Sequence, residues 1–319
     1  MKTLDVVRRT SDEDLSRWIR RLSLILVLGV LAFGVFYAVD RWRPAAPAIV
    51  DQQIASLEQA VRDNPNDISI RGSLADAYAA KGRFEDALGQ YDVIIAAGVS
   101  LEPANLGRAR ALQALGRLDE AAAAFEAVVA IAKDGEMAHV DMGLQAAYYG
   151  LGFIAREQGR PADAIGHLER ALAISRSDAD SLYLIGTAFV ATGEYEKAIT
   201  VLRASVTFVP VGWDEPYAAL AEAYEASGQP AMVAWANAMA GLMAGDAEAA
   251  EPALLELVDG EAALDAAIGL GLLFETRGDN AQAAEWYQRA LAIEPTSNAA
   301  GLGLGRVGPI PTTGVESGS

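Results

Sequence analysis

The sequence predicts an all-α protein in which a single N-terminal transmembrane helix precedes a stack of about six helix pairs. Three observations predict it. An uncharged apolar run lies near the start, one glycine recurs in a constant neighbourhood, and Ala, Leu and Gly are abundant with few β-branched runs. The 319 residues are 52% hydrophobic and include no cysteine. That excludes a disulfide framework, a thiolate metal site and covalent haem attachment; bacterial extracytoplasmic domains often do without cysteine. The net charge is −18. Residues 1–21 carry Lys2, Arg8, Arg9, Arg17, Arg20 and Arg21 against Asp5, Asp12, Glu13 and Asp14, so the rest of the chain carries −20. Such a surface repels phosphate backbones, and nucleic acid is not an expected partner.

The N-terminal segment 1–21 is expected on the cytoplasmic side. Ser11, with Asp14 three residues on, makes a capping-box-like start. Leu15, Trp18, Ile19 and Leu22 then follow at helical spacing, as in a helix lying at the inner interface and running into the span. The span itself is 22–39, LSLILVLGVLAFGVFYAV, 18 residues without a charge. At a rise of 1.5 Å per residue it covers about 27 Å, close to the hydrocarbon thickness. Trp18 and Trp42 bracket it and Tyr37 lies near its far end, where amphipathic rings favour the interface. Six Lys/Arg precede it, while Arg41 and Arg43 alone closely follow. The positive-inside rule therefore places the long C-terminal part outside the cytoplasm. Ala46-Pro47-Ala48 offers small residues to a signal peptidase. The apolar run, however, exceeds a usual signal core and is followed by Asp40, Arg41, Trp42 and Arg43, which favours an uncleaved anchor in the cell membrane.

After a linker at 40–47, residues 48–66 place Ile54, Leu57 and Val61 on one stripe and end at Asn64-Pro65, which predicts a capping helix. The recurring glycine organises residues 67–297. Gly82, Gly116, Gly159, Gly193, Gly228 and Gly278 each end an apolar-periodic segment, at spacings of 34, 43, 34, 35 and 50. Seven residues earlier stands a small residue each time: Ala75, Ala109, Gly152, Gly186, Ala221 and Gly271. Five residues later come Ala87, Ala121, Ala164, Ala198 and Ala283, with Val233 as the exception. Antiparallel helices approach to about 8–9 Å only where the crossing residues are small. A left-handed glycine ends the first helix of each pair. Pro210 and Pro295 close second helices.

The spacing of 34 and these positions resemble the tetratricopeptide repeat, most strongly in RGSLADAYAAKGRFEDALGQYDVII, YYGLGFIAREQGRPADAIGHLERAL, LYLIGTAFVATGEYEKAITVLRASV and AIGLGLLFETRGDNAQAAEWYQRAL. The resemblance implies an α-solenoid that binds proteins. Three departures stand out. Nine extra residues around AKDGEMAHVDMG predict a lengthened helix or a loop. The 50-residue spacing predicts an additional helix in 229–262, as in a degenerate repeat missing half. Residues 298–319 read as a turn or two of weak helix and a flexible tail, a poor terminal cap.

In this family the first helices line the concave face, and positions ten and six before the glycine commonly touch ligands. Here these are Gly72 and Asp76, Leu106 and Arg110, Tyr149 and Phe153, Tyr183 and Thr187, Ala218 and Glu222, and Ile268 and Leu272. The Lys and Asn residues with which cochaperones of the family clamp a terminal carboxylate are absent from them. Tyr149, Phe153 and Tyr183 predict an aromatic strip with Arg110 and Arg156 nearby. Together with Leu106 and Thr187 these residues form the expected partner-binding site, which takes a peptide through apolar side chains. The competing reading covers the strip with the neighbouring repeat or the insertion.

No catalytic, metal or cofactor site is expected. His139 and His167 fall in different repeats without partner motifs, and Gly303-x-Gly305-x-x-Gly308 has no strand before it. The functional expectation is a membrane-anchored scaffold or adaptor, chaperone-like in extracytoplasmic assembly. Three alternatives stay open. ASLEQAVRDNPNDISIRGSLADAYAAKGRFEDALGQYDVII resembles the start of the repeats in apocytochrome-holding proteins of cytochrome c maturation, which have a further span that this sequence does not show. The one-span plan also resembles ancillary subunits of the secretion translocon. A weak terminal cap favours a self-assembling scaffold.

Overall fold

A computed structural model describes residue 18, residue 26 and residues 49–208 and 212–308. The expected membrane span, the N-terminal segment and the linker lie outside the described residues, except that Trp18 and Leu26 are helical and largely exposed. Among the described residues no helix is long and apolar enough to cross a membrane. The chain divides into two compact units, Met1–Ser56 and Leu57–Ser319.

Fifteen α-helices and no strand occur among the described residues. The expected capping helix is α1 (Ile49–Asp63), which buries Ile54 and half-buries Leu57 and Val61. Five pairs follow: α2 (Ile68–Ala80) with α3 (Phe84–Ala96), α4 (Leu101–Ala114) with α5 (Leu118–Ala132), and α6 (Met142–Glu157) with α7 (Pro161–Ile174). Then come α8 (Ala179–Thr192) with α9 (Tyr195–Phe208), and α10 (Glu215–Ala226) with α11 (Pro230–Met243). A lone α12 (Ala247–Leu255) precedes the sixth pair, α13 (Ala263–Thr276) and α14 (Asn280–Ile293), and α15 (Asn298–Val307) ends the described chain.

The pairs form for the steric reason the sequence gives. All six repeat glycines are left-handed, with φ between 69° and 79°. In each, the next amide donates to the carbonyl four residues before the glycine, as Arg83 to Tyr78 at 2.8 Å and Asp279 to Phe274 at 2.9 Å. The five alanines after the glycines are wholly buried. At Gly152 and Gly186 a methyl group would collide with Leu168 and Leu202 of the second helix. Aspartates start several first helices: Asp67, Asp141 and Asp178 accept from amides of α2, α6 and α8.

Two departures resolve into defined structure. The insertion after α5 is a loop with a short 3₁₀ turn, Ala138–Val140, and it leaves Met137, Val140 and Met142 exposed. The 50-residue spacing does hold an extra helix, α12, and also a seventh glycine stop. Gly245 is left-handed at φ 97°, and Asp246 N–H donates to the Gly241 carbonyl at 2.8 Å. The insertion is therefore half a repeat, and it shifts the alternation. Successive first helices touch from α2 to α10, but beyond the shift α11, a second helix, touches α13, and α13 touches α15.

The expectation of a weak, tail-like end at 298–307 is corrected. These residues form the ten-residue helix α15, started by Ser297 and packed on α13 and α14. Gly303 lies against the Tyr287 ring where any side chain would collide, and Arg306 donates from Nε and Nη2 to the Glu275 carboxylate at 2.7 and 2.9 Å. Residues 309–319 lie outside the described residues, as does Pro210.

Candidate protein-binding surface

The first helices α4, α6 and α8 lie side by side. Gln145 of α6 ties two of them, since its Nε2 donates at 3.1 Å to Asp178, the carboxylate that also caps α8. Ten and six positions before their glycines these helices present the expected side chains. Tyr149, Phe153, Tyr183 and Thr187 are all half-buried. Tyr149 and Phe153 pack against both large hydrophobic clusters, one centred on α5 and α6 and the other running from α6 to α14. The strip is thus neither free nor covered. Its rings pack against the core and remain partly exposed.

Arg156 stands among these rings. Its guanidinium lies 5.4 Å from the Phe153 centroid and donates to Glu157 at 2.8 Å. Burial raises the pKa of both tyrosine hydroxyls; Asp180 and Asp178 add to this at Tyr149, and the Arg156 charge opposes it at both. Both phenols stay protonated donors beside a cation. Such a surface suits an apolar side chain flanked by carbonyl or carboxylate acceptors. Thr187 does not extend it, because its hydroxyl donates back to the Leu184 carbonyl at 2.8 Å.

Leu106 and Arg110 belong elsewhere. They line a hollow shared with Asp76, Phe84 and Tyr91, in which the Tyr91 hydroxyl donates to Asp76 at 2.7 Å. Arg110 is exposed on its rim.

Trp213 completes the strip and was not expected. It lies in the segment before α10, half-buried, with its ring edge-on to Tyr183 at 5.2 Å between centroids. Its place in the sequence, between Pro210 and Pro216 and outside the repeat positions, gave no spacing to read. Of the two histidines, His139 is exposed on the 3₁₀ turn, and His167 is half-buried on α7 with its pKa lowered by burial and by Arg170.

Two family models described as "Tetratricopeptide repeat" match the chain, one at residues 101–177 and 143–209 and the other at 54–100 and 236–298. No curated protein matches it. Among solved structures, the C-terminal part of a TPR repeat-containing protein from Cytophaga hutchinsonii is 17% identical, covering 80% of this chain and 94% of that one at a TM-score of 0.51. A tetratricopeptide repeat protein from Parabacteroides merdae is 13% identical, with 81% and 92% covered and a TM-score of 0.47. PilW, described as a widely conserved type IV pilus biogenesis factor, is 18% identical, with 75% and 99% covered and a TM-score of 0.46.

Proposed function

The chain belongs to the tetratricopeptide-repeat family, and from that premise we propose that it is a membrane-anchored scaffold that holds other proteins on its first-helix face outside the cytoplasm. The observation that carries the binding site is the half-buried strip of Tyr149, Phe153, Tyr183 and Trp213 around Arg156. Rings held rigid by the core on one side lose little entropy when a partner covers the other. The anchor and its orientation rest on the uncharged stretch 22–39 and on the six Lys/Arg before it.

A photo-crosslinking amino acid at Tyr183 in native membranes tests this reading, with the exposed Gly166 of α7 as the control position. The expected result is a discrete set of proteins captured at Tyr183 and not at Gly166. Their capture should fall at least tenfold, on the scale of one ring lost from an interface (~1.4 kcal/mol or more), when Trp213 becomes Ala. Equal capture at both positions would remove the strip from the mechanism. Apocytochromes or translocon subunits among the captured proteins would place the scaffold in cytochrome maturation or in secretion.

A further inference from the structure

Two of the six methionines and one of the two histidines fall within six consecutive residues, Met137-Ala138-His139-Val140-Asp141-Met142, in the insertion that interrupts the repeats after α5. Elsewhere among the described residues methionine serves the core: Met239 is buried, and Met232 and Met243 pack against the larger cluster. Met137 and Met142 do the opposite, with 69% and 60% of their surface exposed, and His139 between them is exposed as well. Thioethers turned to water add little to packing, so their place here calls for another account.

The backbone turns these side chains outward together. The Met137 and Ala138 carbonyls accept from the Val140 and Asp141 amides at 2.9 and 3.5 Å, closing the 3₁₀ turn Ala138–Val140. Ala138 packs inward on the cluster of α5 and α6. Asp141 is held at the start of α6, where its carboxylate accepts from the Gly143 and Leu144 amides at 2.8 and 3.0 Å. With three residues to a turn, Met137 and His139 leave on either side of Ala138, and Met142 follows His139 by one turn. Five residues separate the two methionines, roughly 10 Å at a rise of about 2.0 Å per residue. Two flexible thioethers can close that gap around one ion through metal–sulfur bonds of about 2.3 Å.

We propose that this insertion binds a soft monovalent metal ion, Cu(I), through the Met137 and Met142 thioethers and a ring nitrogen of His139. Thioether sulfur selects Cu(I) over hard cations, and imidazole is a good ligand for copper. Lys133 stands alone against Asp134, Glu136 and Asp141, so the charge of the loop favours a cation. A hard divalent ion is not the occupant, because among the described residues no three of His, Asp and Glu come together as a ligand group. The site uses none of the residues of the aromatic strip and does not depend on the scaffold reading.

The test uses the full chain in lipid nanodiscs with ¹³C-methyl methionine, its signals assigned by single leucine substitutions, and Ag(I) as a redox-inert stand-in for Cu(I). The Met137 and Met142 methyl signals should move together and saturate at a single equivalent of Ag(I), while those of Met232, Met239 and Met243 stay in place. Cu(I) affinity, read by competition with bicinchoninate, should fall by roughly tenfold or more in Met137→Leu, Met142→Leu and His139→Asn, since removing even an outer partner of a metal ligand costs that much. All three positions are exposed, so the urea midpoints of these variants should not move. A Met1 methyl that shifts over the same range of Ag(I) would mean an adventitious ion only and overturns the proposal. Cu(I) affinity unchanged in His139→Asn overturns it too, as does Zn(II) displacing Ag(I) from the two methionines at equal concentration.

Discussion

Gly186 and Gly89 both lie inside helices, yet the structure assigns them opposite sensitivities. A methyl group at Gly186 would meet the fully buried Leu202, whereas at Gly89 it would meet nothing within 4 Å. Gly186→Ala should therefore destabilise the array by ~1–3 kcal/mol through overpacking, less the helix-propensity gain. Gly89→Ala should stabilise it by ~0.5–1 kcal/mol, because alanine gives up less backbone freedom in a helix. Urea unfolding of the two variants reads the contrast directly: midpoints moving the same way would show that crossing distance does not constrain these positions. The small positions were legible in the sequence because sterics leave one solution at a helix crossing. Tyr149, Phe153 and Tyr183 were legible as positions, but their half-burial was not, since it depends on which neighbouring side chains fill the gaps. Trp213 was not legible at all, because a ring outside the repeat has no fixed offset from the glycine.

The elements show where local preference was overruled. α15 contains Gly301, Gly303 and Gly305, a composition with low helix propensity, and for that reason its sequence reads as tail. Tertiary contact decides otherwise. Gly303 admits the Tyr287 ring, and the Glu275 carboxylate accepts from Arg306 and from the Tyr287 hydroxyl at 2.7 Å. Arg306 is the main cause that lowers the pKa of Glu275, opposed by burial. The stability this adds is therefore present above the ordinary glutamate pKa and lost as pH falls through the lowered one. Glu275→Gln should raise amide exchange in 298–307 roughly tenfold, on the basis of ~1–3 kcal/mol for a charged hydrogen bond, and leave α8 and α9 unchanged. Exchange equally slow in both proteins would mean that α15 is held by apolar contact alone. The half-repeat was legible as an extra helix or a degenerate repeat missing half, but its glycine stop was not, for a related reason. Gly245 has Ala238 seven before it, Ala250 five after it and Leu254 nine after it, all buried. The stop recurs 17 residues after Gly228, and the nine-residue α12 it opens carries Pro252 in its interior, so no second full-length helix signals a pair.

At the scale of the whole molecule, the functional reading turns on which side of a membrane the array occupies. The repeat itself is indifferent to this, since an acidic surface keeps a solenoid soluble in either compartment. The asymmetry lies upstream, with Lys2, Arg8, Arg9, Arg17, Arg20 and Arg21 before the apolar stretch and Arg41 and Arg43 close after it. Each basic residue near the end of a span favours the cytoplasmic side, and the proposed orientation rests on this difference. The chain has no cysteine, so single introduced thiols report topology without a background. Thr10→Cys, ahead of the stretch, should resist a membrane-impermeant maleimide in intact cells and react after lysis. Gly166→Cys, exposed on α7, should react in both. The two positions control for each other, because a cleaved anchor would release Gly166 into the soluble fraction while leaving its labelling unchanged. Protection of Gly166 in intact cells would put the array in the cytoplasm, and the strip would then have to select its partners there.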